Sequence, residues 1–229
     1  MRIAMQPDYY LRRPPLPSEP ALIAQFEALW AEIERSNTPL DLTDLLSGPR
    51  WPFLAYLAEH KPVLFHGSGN PSLSKLVPRQ ASDIVEFGNQ RAVYAASDGI
   101  WPIFYAILER EPQEVSLLNA CFRQVKPDGS FSDPHYFFSI DDQTYLRQPW
   151  RTGTIYLLPR EGFIAKPISY KRGMTLQIME WASVHEVAPI ARLTVGPQDF
   201  PFLNQVRSHN LARLIEQANA DPEGFPWLE

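Results

Sequence analysis

The chain has 229 residues, with 45% apolar residues and a formal net charge of −5. That is enough apolar material for one sizeable core, and it excludes wholesale disorder. The acidic balance argues against a broad basic footprint for nucleic acid. Twenty-three prolines against eleven glycines imply stiff loops and short elements, not a long helical bundle. A single cysteine, Cys121, excludes an intramolecular disulfide and a Cys-rich metal site. The first fifteen residues, MRIAMQPDYYLRRPP, lack the apolar core of a signal peptide. No apolar stretch approaches the ~20 residues that a membrane span needs. These features together predict a soluble, cytoplasmic protein without a membrane or metal partner.

In chain order, residues 1–19 read as irregular and rich in Pro and Arg. Leu22, Phe26, Leu29 and Ile33, widened by Ile23 and Trp30, predict a helix over 20–35, with Ser18 and Pro20 at its start. Asp41 to Leu46 reads as a short helical turn. A second helix opens at Pro52 and runs through Phe53, Leu54, Tyr56 and Leu57 until Lys61-Pro62 stops it. Residues 1–61 thus read as a helical cap packed on a main domain of residues 62–229. Val63-Leu64-Phe65-His66, closed by Gly67 and Gly69, predicts a buried strand, and Ala92–Ala96 another. Ile100–Leu108 reads as a helix with Pro102 in its first turn. Further strands are expected at Tyr136–Ile140, Thr154–Leu158, Thr175–Val184 and Ile190–Val195, and a closing helix at Asn204–Ala218. Many strands, few long helices and no strict βα alternation predict an α+β fold. Its expected form is a split core of two packed, mainly antiparallel sheets.

One constellation carries chemistry. His66-Gly67-Ser68 ends an apolar strand, Tyr94 lies in Val93-Tyr94-Ala95-Ala96-Ser97-Asp98, and Tyr105 follows Tyr94 by eleven positions. Glu180 sits inside an apolar strand, after Leu176, Ile178 and Met179 and before Trp181. A carboxylate there is costly unless it has a partner or a task. Taken singly, His66 reads as a strand-end histidine bonded to a carbonyl. The tyrosines read as core aromatics, and Glu180 as an edge-strand acid.

In this order the pieces resemble the ADP-ribosyltransferase fold, in the His-Tyr-Glu class that includes the poly(ADP-ribose) polymerases. The resemblance covers roughly residues 62–108 and 175–196. It implies that NAD is bound as substrate and that its nicotinamide–ribose bond is broken through an oxocarbenium-like transition state. Under it, His66 bonds adenosine ribose and the Gly67 backbone meets the carboxamide, with Ser68 beside them. Tyr94 and Tyr105 clamp the nicotinamide, and Glu180 stabilises the ribosyl cation. The acceptor, whether protein, nucleic acid or small molecule, is not written in the chain. Arg79 or Arg91 would meet the pyrophosphate.

Two positions depart from the family pattern. Pro102 replaces the serine that contacts the carboxamide in the polymerases. Ile178 stands where arginine-modifying transferases carry Gln or Glu, which disfavours arginine modification. Rival readings are a non-catalytic binding module that keeps the fold, and an RNA 2′-phosphotransferase-like activity, which would need a basic cleft. His135 and His185 lack partners at metal-ligand spacing, Cys121 reads as core, and there is neither a Gly-x-Ser-x-Gly motif nor a P-loop.

Overall fold

The computed structural model describes residues 9–81, 86–111, 115–171, 173–222 and 224–227. In chain order these form β1 (Leu11–Arg12), α1 (Pro20–Arg35), β2 (Leu40–Asp41), α2 (Trp51–His60), β3 (Val63–Ser68), β4 (Arg79–Gln80) and β5 (Arg91–Ala96). Then follow α3 (Trp101–Ile107), β6 (Leu117–Gln124), β7 (His135–Asp141), α4 (Asp142–Leu146), β8 (Gly153–Pro159), β9 (Ile164–Ala165) and β10 (Ser169–Lys171). The last elements are β11 (Met174–Ile178), β12 (Glu180–Ser183), β13 (Ala191–Val195), β14 (Arg207–His209) and α5 (Leu211–Ala220). The class is α+β, with two mostly antiparallel sheets.

The first sheet runs β1-β7-β6-β11-β10, with β14 also on β7; the second runs β2-β13-β8-β3-β5-β12-β9, with β4 on β5. The expected strand over 175–184 is in fact two. It pairs with β6 in the first sheet as far as Ile178, and with β5 in the second from Glu180 onward. Met179 is the crossing point. Its N–H donates to the Cys121 carbonyl at 2.9 Å, and its own carbonyl accepts from Ser97 N–H at 3.0 Å. The peptide groups freed by the crossing therefore stay satisfied on both sides.

Helix α1 matches its expected bounds, and its stripe of Phe26, Leu29, Trp30 and Ile33 is buried. Each such side chain contributes about 1.5–3 kcal/mol. These residues share one core with α2, α3 and strands of both sheets. The N-terminal region also gives an edge strand to each sheet, since β1 pairs with β7 and β2 with β13. The Asp41–Leu46 segment is a strand end and turn where a helical turn was expected: Asp41 sits in β2 and takes up the Thr43 N–H at 3.1 Å. Helix α5 starts at Leu211, capped by Asn210, and so excludes Val206, which lies before β14.

Helix α3 lies against β3 and β8. Two glycines permit the approach. A methyl group on Gly67 would fall 1.9 Å from the Pro102 carbonyl oxygen, and one on Gly153 would fall 2.1 Å from that of Ala106. Asp98 anchors the helix start, accepting from Ile100 N–H at 2.9 Å, Trp101 N–H at 2.7 Å and the Tyr136 hydroxyl at 2.7 Å. Burial pushes its carboxyl pKa up, and bonds from Trp101, Tyr136 and Ile100 pull it back.

Gly153→Ala is expected to destabilise the fold by on the order of 3 kcal/mol, because backbone must move to admit the methyl group. Ala substitution at Gly129, which has open space around it but a φ of 82°, is expected to cost about 1 kcal/mol from backbone strain alone. Urea midpoints of the two variants check the order of these losses.

Candidate functional site

The strands that carry His66, Tyr94 and Glu180 are neighbours, in the order β3-β5-β12. Glu180 pairs with Ala96, and Ala182 with Tyr94. Val93, Ala95 and Trp181 pack on one face of this sheet with Leu64, Tyr156 and Phe163. By strand alternation, Tyr94 and Glu180 therefore share the opposite face, the one toward α3 and the first sheet.

Strand β3 meets β5 at a single rung, Phe65–Ala96. His66 leaves β3 on the face opposite Phe65 and Gly67, and its ring spans to the Tyr94 carbonyl, with Nδ1 at 2.7 Å. A carbonyl only accepts, so Nδ1 carries the proton and Nε2 holds a lone pair. Among the described residues Nε2 has no hydrogen-bond partner. Burial lowers the His66 pKa. The Tyr94 carbonyl counteracts this, and the charges of Arg110 and Arg79 add to it. The ring is thus a neutral acceptor, suited to a ligand hydroxyl. Ser68 Oγ accepts from Asn70 N–H at 3.1 Å and shapes the loop that follows.

Gly67 faces α3, so its missing side chain is explained by helix packing. The Tyr94 hydroxyl donates to the Phe87 carbonyl at 3.0 Å and accepts from Gln90 N–H at 3.0 Å, tying the 3-10 turn Glu86–Asn89 to β5. Arg79 lies in β4, opposite Ala92 of β5. Arg91 is at the exposed start of β5, paired with Gln80.

Three further side chains join the site without a sequence signal. Asn119 on β6 accepts with Oδ1 from the Tyr105 hydroxyl at 2.7 Å and the Trp101 indole at 2.6 Å. Its Oδ1 is therefore occupied on the α3 side, and its amide N–H groups have no acceptor among the described residues. Beyond Cys121, β6 has lost β11 as a neighbour, so Asn119 stands where the two sheets diverge. The Arg110 guanidinium lies 6.0 Å from the Tyr105 ring centre. Lys166, the residue after β9, pairs with Glu180 Oε2 at 2.7 Å, with 16% of either side chain exposed. Lys166 also lies 5.7 Å from the Phe87 ring centre.

Two tyrosines, an amide donor and one carboxylate lie on the side of the sheet toward α3, while His66 leaves β3 on the other face and meets them only through the Tyr94 carbonyl. Glu180 Oε1 has no protein partner among the described residues. No group of three or more His, Cys, Asp or Glu there is placed to hold a metal. No helix among them is long and apolar enough to cross a membrane. Cavities of about 300 and 340 Å³ lie elsewhere, beside Trp150 and beside Leu73. In comparisons with known proteins, no family model, no curated protein and no solved structure matches this chain.

The depressed histidine sets a pH dependence. His66 is neutral when folded but takes up a proton near pH 6.5 when unfolded. The unfolded state therefore gains protons first, and stability falls as pH drops below about 6.5. Buried His135 and His209, also lowered, act in the same direction. Asp98, raised, acts in the opposite direction at lower pH. His66→Gln keeps a donor for the Tyr94 carbonyl and is expected to flatten the loss between about pH 6.5 and 5. Denaturation curves across that range check it, and nitrogen-15 shifts are expected to show a neutral ring protonated on Nδ1 at pH 6.5.

Proposed function

We propose that the chain binds NAD between β3, β5 and β12 and transfers its ADP-ribose to an acceptor, releasing nicotinamide. The observation that supports this is the placement of Glu180 and Tyr94 on one face of adjacent strands, with the His66 ring reaching the Tyr94 carbonyl from the other face of β3. The sequence separates these residues widely, and the strands that carry them are neighbours in the order β3-β5-β12.

Each residue then has a defined task. His66 Nε2 accepts a ribose hydroxyl. The Tyr105 ring, its hydroxyl fixed on Asn119, offers a flat face to nicotinamide. The Asn119 amide donates to a carboxamide or hydroxyl oxygen. As the nicotinamide leaves, positive charge develops on the ribose, and a fixed carboxylate stabilises it without reorganisation. Glu180 supplies that charge, and its Oε1 can accept the ribose hydroxyl while Lys166 holds Oε2.

A specific observation favours a second reading, a non-catalytic nucleotide-binding module. An ammonium 2.7 Å from the carboxylate offsets part of the field that a ribosyl cation would feel. The two readings share the binding site and differ in turnover.

Nicotinamide release and NAD affinity, measured for the wild type and two variants, separate them. For the transferase, Glu180→Gln is expected to lower release by on the order of 10²–10³ while leaving affinity nearly unchanged. Tyr105→Ala is expected to weaken binding itself by removing the stacking face. A wild type that binds NAD but never releases nicotinamide makes the binding module the correct reading. One that does not bind NAD removes both, and full turnover by Glu180→Gln removes Glu180 from the catalytic role.

A further inference from the structure

The amine beside Glu180 has a second chemical use. Lys166 lies just past β9, which pairs with β12 through Ala165–Trp181 and Ile164–Ala182. Its backbone N–H donates to the Glu180 carbonyl at 2.9 Å. Its carbonyl accepts from Gln177 Nε2 at 2.8 Å. Its Nζ donates to Glu180 Oε2 at 2.7 Å. Main chain and side chain are both tied down, although a free lysine side chain is among the most mobile. The Nζ also lies 5.7 Å from the Phe87 ring centre, and the Phe87 carbonyl accepts from the Tyr94 hydroxyl. Amine, carboxylate and tyrosine thus share one neighbourhood.

A nucleophile and a base within hydrogen-bond reach of each other are the pairing that covalent transfer needs. The chain has five lysines. Lys61 and Lys75 also pair with carboxylates, but their partners Glu27 and Glu186 are 45% and 55% exposed. In the Lys166–Glu180 pair each side chain is only 16% exposed. Shielding of this kind limits the water that would compete for a reactive sugar cation.

Glu180 also has two oxygens to divide between two partners. With NAD bound as proposed above, Oε1 accepts a ribose hydroxyl next to the carbon that loses nicotinamide, C1′. Oε2 belongs to the same carboxylate, so an amine bonded to it is held beside that carbon.

We propose that Lys166 is the acceptor, and that the chain transfers ADP-ribose from NAD to its own Lys166 Nζ. The proposal rests on the NAD reading and names the acceptor which that reading leaves open. In the step, the C1′–N bond to nicotinamide breaks, and its electron pair leaves with neutral nicotinamide. The Lys166 ammonium passes one proton to Glu180 Oε2, and the freed lone pair on Nζ forms the new C1′–N bond. The product is a secondary ammonium at Lys166, and Glu180 returns the proton to solvent. No oxidant, reductant or further co-reactant enters. Because both groups belong to one molecule, alignment replaces a second encounter.

The test incubates the full chain with NAD. Calorimetry follows NAD binding, chromatography follows nicotinamide release, and intact mass with peptide mapping follows the chain. One ADP-ribose per chain is expected, on Lys166, with a rate constant that does not change with protein concentration. Lys166→Arg keeps a cation on Glu180, but a guanidinium does not give up its proton. It is expected to bind NAD within a few-fold of the wild type and to carry no ADP-ribose. Free ADP-ribose, which glycates lysines through its open-chain aldehyde, is the control and is expected not to single out Lys166.

A wild type that binds NAD and releases nicotinamide while Lys166 stays unmodified overturns this proposal alone and leaves the transferase reading with another acceptor. A label elsewhere, a rate constant that rises with protein concentration, equal labelling of Lys166 by free ADP-ribose, or undiminished labelling of Lys166→Arg also overturns it. A wild type that does not bind NAD, or binds it without release, removes the transferase reading and this proposal with it. The binding and release measurements tell those failures apart.

Discussion

The two peptide groups at Met179 hold the architecture together. A strand that begins in one sheet and ends in the other must lose its neighbours at the crossing, and each lost backbone bond is costly if nothing replaces it. Cys121 and Ser97 replace them, one from each sheet. The crossing therefore fixes the distance between the sheets at one edge and lets them diverge beyond it. Glu180, Asn119 and the turn of chain after Ala96 all stand at that divergence. The position of Glu180 follows from the crossing and not from a local loop preference: sheet pairing holds its backbone, and Lys166 holds its carboxylate.

Helix α3 occupies the space that the crossing opens. It approaches the second sheet closely enough that two strand positions must be glycine, and its start is fixed to the first sheet through Asp98 and Tyr136. The helix is thus pinned from both sides, and Tyr105 inherits that rigidity along with its bond to Asn119. An aromatic face held this way needs no reordering to receive a flat ligand, which lowers the entropic cost of binding. Gly67 has two readings, close helix packing and close ligand approach. The packing is sufficient to account for it, so the glycine carries no weight in the functional argument. His66, with its tautomer set by the Tyr94 carbonyl, carries more.

What the sequence could tell depended on how local each signal was. The stripe of α1 and the apolar runs of β3, β5, β8 and β13 are local patterns, and they mark elements close to where they occur. Strand β6 was missed because Leu117–Gln124 mixes apolar and polar residues, its burial being decided by neighbours distant in the chain. The break at Met179 had no signal either, since an apolar residue between two strands reads as more strand. The same limit applies to the site. Order and spacing single out His66, Tyr94, Tyr105 and Glu180 as candidates. Asn119, Arg110 and Lys166 carry no such signal, because each joins the group through tertiary contact alone.

Lys166 bears most directly on the chemistry. A mostly buried ion pair loses its solvation on both partners, and the attraction between them offsets that loss only when the geometry is good. Here one carboxylate oxygen is taken and the other is left open. The pair therefore does two opposed things. It fixes the orientation of Glu180 so that Oε1 faces a ligand hydroxyl, and it weakens the negative field at that same atom. Orientation favours binding and the weakened field disfavours bond cleavage. The balance between them is set by how far the ammonium stays from the ribose once a ligand is seated. Positioning that is good for recognition is consistent with both readings of the site. A cation so near the carboxylate leaves less electrostatic stabilisation for the reaction than an unpaired glutamate would give. If the chain is a transferase, the remaining stabilisation must come from alignment of the leaving group between rigid aromatic faces.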